Sequence, residues 1–82
     1  MIRVLFFAQL RETLDCPGLE VSNENCRTLG QLKALLMTKG DAWQTAFASG
    51  KVLSAVNQAM SQDETELNDG DEVAFFPPVT GG

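Results

Sequence analysis

The sequence predicts an α+β fold of two layers, a mixed sheet packed on one main helix plus short helices, and three observations predict it. Both ends carry apolar, strand-like segments, Ile2-Arg3-Val4-Leu5-Phe6-Phe7 and Glu72-Val73-Ala74-Phe75-Phe76. One amphipathic stretch of helical period lies between them. The 82 residues, 44% of them hydrophobic, give one domain with a single modest core and leave no room for parallel strand and helix repeats.

Taken in order, residues 1 to 8 alternate, with Ile2, Val4, Phe6 and Ala8 on one side and Arg3, Leu5 and Phe7 on the other. Apolar residues on both sides predict a central strand with each face at least partly covered. Gln9 to Leu14 fits a helical turn, and Asp15-Cys16-Pro17-Gly18 signals a turn before the alternating run Leu19-Glu20-Val21-Ser22. This is an opening hairpin with a long loop. Thr28 and Gln31 have the spacing of a capping box, Leu29, Leu32, Leu35 and Leu36 follow at helical spacing, and Gly40 marks the stop. Asp41 with Gln44 repeats the start signal for a second short helix through Trp43, Ala46 and Phe47, ending near Gly50. Lys51 to Asn57 reads as a strand, Asn68-Asp69-Gly70-Asp71 as a turn, and Glu72 to Phe76 as the last strand.

That order of elements matches a β-grasp fold, with the first and last strands side by side in the centre because they are the most apolar. Residues 1–76 form the domain and 77–82 an extended C-terminal tail. Trp43 and Phe47 are expected in the core. Asn57 and the Asp69-Gly70-Asp71 turn are explained by backbone geometry and receive no chemical role.

Composition excludes several functions. The formal net charge is -5, densest in acid at Asp63, Glu64, Glu66, Asp69, Asp71 and Glu72, and the six Lys and Arg form no cluster, so nucleic acid is not an expected partner. An acidic surface instead suits either a basic docking face or simple solvation. There is no histidine, which removes Cys-His and Ser-His nucleophiles and leaves no tetrahedral metal site. The N-terminus does not read as a signal peptide, and no stretch is long enough to span a membrane; a cytoplasmic location with Cys16 and Cys26 as free thiols is the expectation.

The chemistry is expected at the tail. Pro77 and Pro78 lack N–H donors and fix φ, so they end the strand ladder and send the chain outward in an extended path. Pro77 to Gly82 reaches roughly 20 Å when extended. Gly81 and Gly82 have no Cβ to block a narrow slot, a nucleotide or a nucleophile. A carboxylate is a poor acyl electrophile, so the Gly82 carboxyl must first be activated, and transfer to the α-phosphate of ATP makes an acyl adenylate with a good leaving group. The plainer alternative is a frayed terminus, against which stands the stiff Phe-Phe-Pro-Pro-Val-Thr segment directly before the glycines.

A second expectation concerns the sheet face that the helix leaves bare. If Ile2, Val4 and Phe6 face the helix, then Leu5 and Phe7 face outward, with Phe75 on the adjacent strand joining them and Met60 close by. Such an apolar patch is a docking surface. The reversed assignment makes these side chains ordinary core.

The segments Val4-Leu5-Phe6-Phe7-Ala8, Ala55-Val56-Asn57 and Asp69 through Gly82 together closely resemble the small, sulfur-carrying subunit of molybdopterin synthase, the MoaD family. The resemblance covers the whole chain and is specific in the terminal block. It implies a ubiquitin-like β-grasp fold and a role in molybdenum cofactor biosynthesis. An E1-like adenylyltransferase, using ATP and Mg²⁺, is implied to adenylate Gly82, and a sulfur donor protein to convert the adenylate into a thiocarboxylate. The tail residues Pro78, Val79, Thr80 and Gly81 are then implied to thread into the large catalytic subunit, which binds cyclic pyranopterin monophosphate. Phe7, Met60 and Phe75 are implied to contact both partners in turn, and this chain itself binds no cofactor and no metal. Rival readings are the sulfur carrier of the thiamine pathway and a ubiquitin-like protein modifier; a β-grasp ferredoxin fails because its cluster needs four thiolates and the chain has two cysteines.

Overall fold

The computed structural model describes residues 1–78. Eight elements follow one another: β1 Ile2–Phe6, α1 Ala8–Leu14, β2 Gly18–Val21, α2 Leu29–Met37, α3 Asp41–Ala48, β3 Leu53–Val56, β4 Ala59–Met60 and β5 Glu72–Phe76. The five strands form one sheet in the order β2-β1-β5-β3-β4. Only β1 and β5 run parallel, and the other neighbours are antiparallel. The first and last strands therefore lie together in the centre, as their composition predicts, and the sheet with its helices is the expected two-layer β-grasp arrangement.

The core forms where the two central strands present alternate residues to the helices. Ile2, Val4 and Phe6 of β1, Val73 and Phe75 of β5, and Leu29, Leu32 and Leu36 of α2 are all essentially inaccessible to solvent. Register places Phe6 directly beside Phe75, with ring centroids 6.0 Å apart and nearly parallel planes. Phe47 of α3 meets the Phe75 ring edge-on at 5.0 Å, and Trp43 meets Phe6 in the same way at 5.3 Å. Edge-to-face and offset pairs of this kind add to the burial of apolar area.

One sequence expectation is corrected here. Phe75 does not face outward; it is fully buried, and its neighbour Phe76 takes the outward position. Side chains alternate along a strand, so of two adjacent phenylalanines only one can enter the core. Glu72 shares parity with Phe76, which marks that face as the solvent side.

Local chemistry explains the helix ends. The Thr28 hydroxyl accepts from the Gln31 N–H at 3.2 Å, and the Gln31 carboxamide accepts from the Arg27 N–H at 2.7 Å, a capping box displaced by one residue on its return arm. Helix α2 ends at Met37, where the Thr38 hydroxyl donates to the Leu35 carbonyl at 2.6 Å. Gly40, expected as its stop, instead precedes α3 and accepts from the Gln44 N–H at 3.0 Å. The predicted turn after α1 is a Schellman stop built on Asp15, at φ 51° and ψ 45°: its N–H donates to Glu12 and the Cys16 N–H to Arg11, each at 3.1 Å.

The expected strand from Lys51 to Asn57 is trimmed to Leu53–Val56, and at its end Asn57 and Gln58 adopt φ of 51° and 70°. Two consecutive positive φ values make the tight hairpin that returns the chain as β4, an element absent from the sequence reading. The Asn57 carboxamide ties this hairpin to β5, accepting from the Glu72 N–H and donating to Asp71, both at 3.0 Å.

Gly18 faces Leu5 across the β1–β2 pair, and a Cβ there would stand 2.7 Å from the Val4 carbonyl oxygen. Gly18→Ala is expected to cost about 1–3 kcal/mol, the usual range for forced overpacking, read as a lower urea midpoint. Phe75→Ala is expected to cost about 3–5 kcal/mol and Phe76→Ala distinctly less. Equal losses for the two phenylalanines would contradict the face assignment.

Candidate functional site

The outer face of the sheet is organised in rungs by register. The first rung is polar: Arg3 lies between Glu20 and Glu72, with Asn57 beyond. The second is apolar, running Gly18, Leu5, Ala74, Ala55 and Met60 across all five strands. On the third, Phe76 lies beside Leu53, and Phe7 follows the Phe6–Phe75 pair with its N–H donating to the Phe75 carbonyl at 3.1 Å. Pro77 and Pro78 come next. Polarity thus falls along the strands toward the root of the tail.

Phe7 and Met60 are 46% and 64% exposed, an arrangement that a monomeric domain does not need for its own core. Met60 and Leu5 occupy one rung three strands apart, roughly 14 Å by the usual strand spacing, so Met60 lies at the far edge of the face from Phe7. The face therefore combines Phe7, Leu5, Phe76, Leu53 and Met60, and Phe75 contributes only from beneath. Phe76 takes the outward place expected of Phe75, because the register puts Phe75 opposite Phe6 in the core. The tail positions Val79, Thr80, Gly81 and Gly82 lie outside the described residues.

The described residues bring together no cluster of groups that would form a metal or catalytic centre. Among the described residues no group of three or more histidine, cysteine, aspartate or glutamate side chains converges on a metal position. A hollow of about 840 Å³ beside Arg11, Glu12, Asp15 and Cys16 is an open concavity. Cys26 is buried, and burial pushes its thiol pKa up, so it stays protonated at neutral pH. The Met1 ammonium bonds to Asp69 and holds that carboxyl below the usual aspartate range. A depressed pKa means the contact holds at neutral pH and is released as acid protonates the carboxylate. This pair sits at the end of the central strands opposite Pro77. No helix among the described residues is long and apolar enough to cross a membrane.

A mixed five-stranded sheet with parallel central strands packed on one main helix defines a ubiquitin-like β-grasp protein. Solved structures agree: the small archaeal modifier protein SAMP1 from Haloferax volcanii superposes with a TM-score of 0.82 over 99% of this chain and 98% of its own, at 24% identity. The chain belongs to the ThiS family, whose model matches residues 4–82. It is 48% identical to the molybdopterin synthase sulfur carrier subunit of Escherichia coli, and 43% identical to that of Haemophilus influenzae, over the full length of each protein. It also resembles a chain in the complex of subunits 1 and 2 of the molybdopterin-converting factor from Helicobacter pylori, at 26% identity, with a TM-score of 0.70 over 99% of this chain and 97% of that one.

The two cysteines give a check on burial that leaves the tail untouched. In the native protein at neutral pH, iodoacetamide is expected to label half-buried Cys16 before Cys26, read by peptide mass. Faster labelling of Cys26 would contradict its place in the core.

Proposed function

We propose that this chain is the sulfur-carrying subunit of a molybdopterin synthase, in which residues 1–76 are a handle and residues 77–82 carry the reactive end. The full-length likeness to the Escherichia coli subunit carries this reading. The outer face supplies its physical basis, because a partner that accepts the tail beyond Pro78 meets Phe7, Phe76, Leu53 and Met60 as it closes on the sheet. Burial of exposed aromatic and methionine side chains is a strong source of docking energy. The flexibility of Met60 suits two successive interfaces.

The cycle begins on an E1-like adenylyltransferase, where an oxygen of the Gly82 carboxylate attacks the α-phosphorus of ATP, assisted by Mg²⁺, and pyrophosphate leaves. The outer sulfur of a persulfide on a donor protein then displaces AMP at the acyl carbon, and a thiol cleaves the resulting acyl disulfide, leaving the thiocarboxylate on Gly82 and a disulfide on the donor side. The tail next enters the large catalytic subunit and delivers that sulfur to cyclic pyranopterin monophosphate. Two such rounds build the dithiolene, and both take place in the cytoplasm. The handle supplies position. Because both partners need the same apolar face, they bind one after the other.

Intact mass spectrometry of the chain from its native host is expected to find one terminal oxygen replaced by sulfur; isopeptide adducts on other proteins in its place would make it a modifier. A variant one residue longer than Gly82 is expected to lose sulfur transfer in the reconstituted synthase, and unchanged transfer would refute threading of the tail. Phe7→Asp is expected to weaken binding to the large subunit about tenfold or more while leaving the melting temperature within a few degrees. Wild-type affinity in that variant would remove the outer face from the interface.

A further inference from the structure

On the other side of the tail's root, where the sheet meets the helices, a cavity of about 260 Å³ opens between α1, the end of α3 and the start of β3. Leu10, Ala46, Val52, Pro77 and Pro78 form its apolar walls. Among the described residues Lys51 is the one charged residue that lines it, and it is exposed. The chain passes out of the domain along this wall, so Pro77 and Pro78 separate the cavity from the outer face that carries Phe7 and Phe76.

We infer that this groove is a second grip for the subunit that accepts the tail, occupied by one apolar side chain of that partner with a carboxylate beside it. The inference rests on the docking reading given above. A protein that encloses an extended peptide surrounds it, and therefore covers both sides of the segment where that peptide leaves its domain. On one side it meets the outer face; on the other it meets this groove, which is continuous with the same two prolines. The remaining features fit a side chain rather than a small ligand. The walls offer aliphatic surface with few polar groups, and the Lys51 ammonium at the rim has no acidic partner within ion-pair distance among the described residues. An apolar anchor with an adjacent opposite charge is the usual composition of an interface hot spot and its rim.

Such a grip also clamps the direction of the tail. Docking on the outer face alone holds Pro77 and Pro78 from one side, whereas contact on both sides of Pro77–Pro78 fixes the line along which the remaining residues enter. Loss of the groove is therefore expected to weaken the complex and to slow transfer within it.

Thr13 lies exposed at the rim of this groove on α1, so Thr13→Trp fills the space without touching the core. Binding to the large subunit of molybdopterin synthase, measured by calorimetry, is expected to fall about tenfold in Thr13→Trp, while Thr13→Ala binds as the wild type does. Lys51→Glu is expected to slow association and flatten its salt dependence. Unchanged affinity in Thr13→Trp, with Phe7→Asp still weakened, would overturn the groove and leave the docking reading intact. Failure of the wild-type chain to bind at all would overturn both. Isotope-filtered NMR of the complex is expected to show contacts from the Leu10 and Val52 methyl groups to the partner; contacts only to the chain's own Val79 would overturn the proposal in favour of a self-parked tail.

Discussion

The parallel pairing of β1 with β5 is the constraint on which the rest of the molecule depends. It brings the two ends of the chain into one central ladder, so the first strand and the last are stabilised together. The register Val4 to Val73 and Phe6 to Phe75 then decides the fate of every side chain on both strands. A slip of β5 by one residue against β1 would send Phe75 to solvent and Phe76 to the core. The stacked Phe6–Phe75 pair, held edge-on by Phe47 and Trp43, opposes such a shift.

The same register shapes the outer face as a by-product of folding. Placing Phe75 inside forces Phe76 outside, next to the prolines, so the apolar end of the outer face adjoins the tail by geometric necessity. Charge follows the opposite course: Arg3, Glu20 and Glu72, with the Asp69 turn behind them, occupy the far end of the sheet. A partner approaching the tail thus meets apolar surface and little desolvation cost, while the acidic end stays hydrated.

Most of the architecture was legible in the residues because each level agreed with the next. Apolar alternation marked β1 and β5, the Thr28–Gln31 spacing marked the start of α2, and the Asp15-Cys16-Pro17-Gly18 signal marked a real change of direction. What escaped was governed by backbone conformations that sequence pattern does not report. Gln58 occupies a left-handed position usually given to glycine, which concealed the β3–β4 hairpin. Gly40 looked like a helix stop, but α2 had already ended through the Thr38 hydroxyl, and the glycine serves the next helix. Of the expected patch, Phe7 and Met60 are exposed, whereas Phe75 is buried and Phe76 takes the outward place. Phe75 and Phe76 are identical in chemistry, and only cross-strand register separates core from surface.

The most direct test of the account follows backbone and methyl chemical shifts of the labelled chain as the large subunit of molybdopterin synthase is added. The account predicts that Leu5, Phe7, Leu53, Met60, Phe76 and residues 77–82 move together, and that Arg3, Glu20 and Glu72 on the same sheet face stay in place. Perturbations centred on α2 or on the charged rung, with Phe7 and Phe76 unmoved, would contradict it.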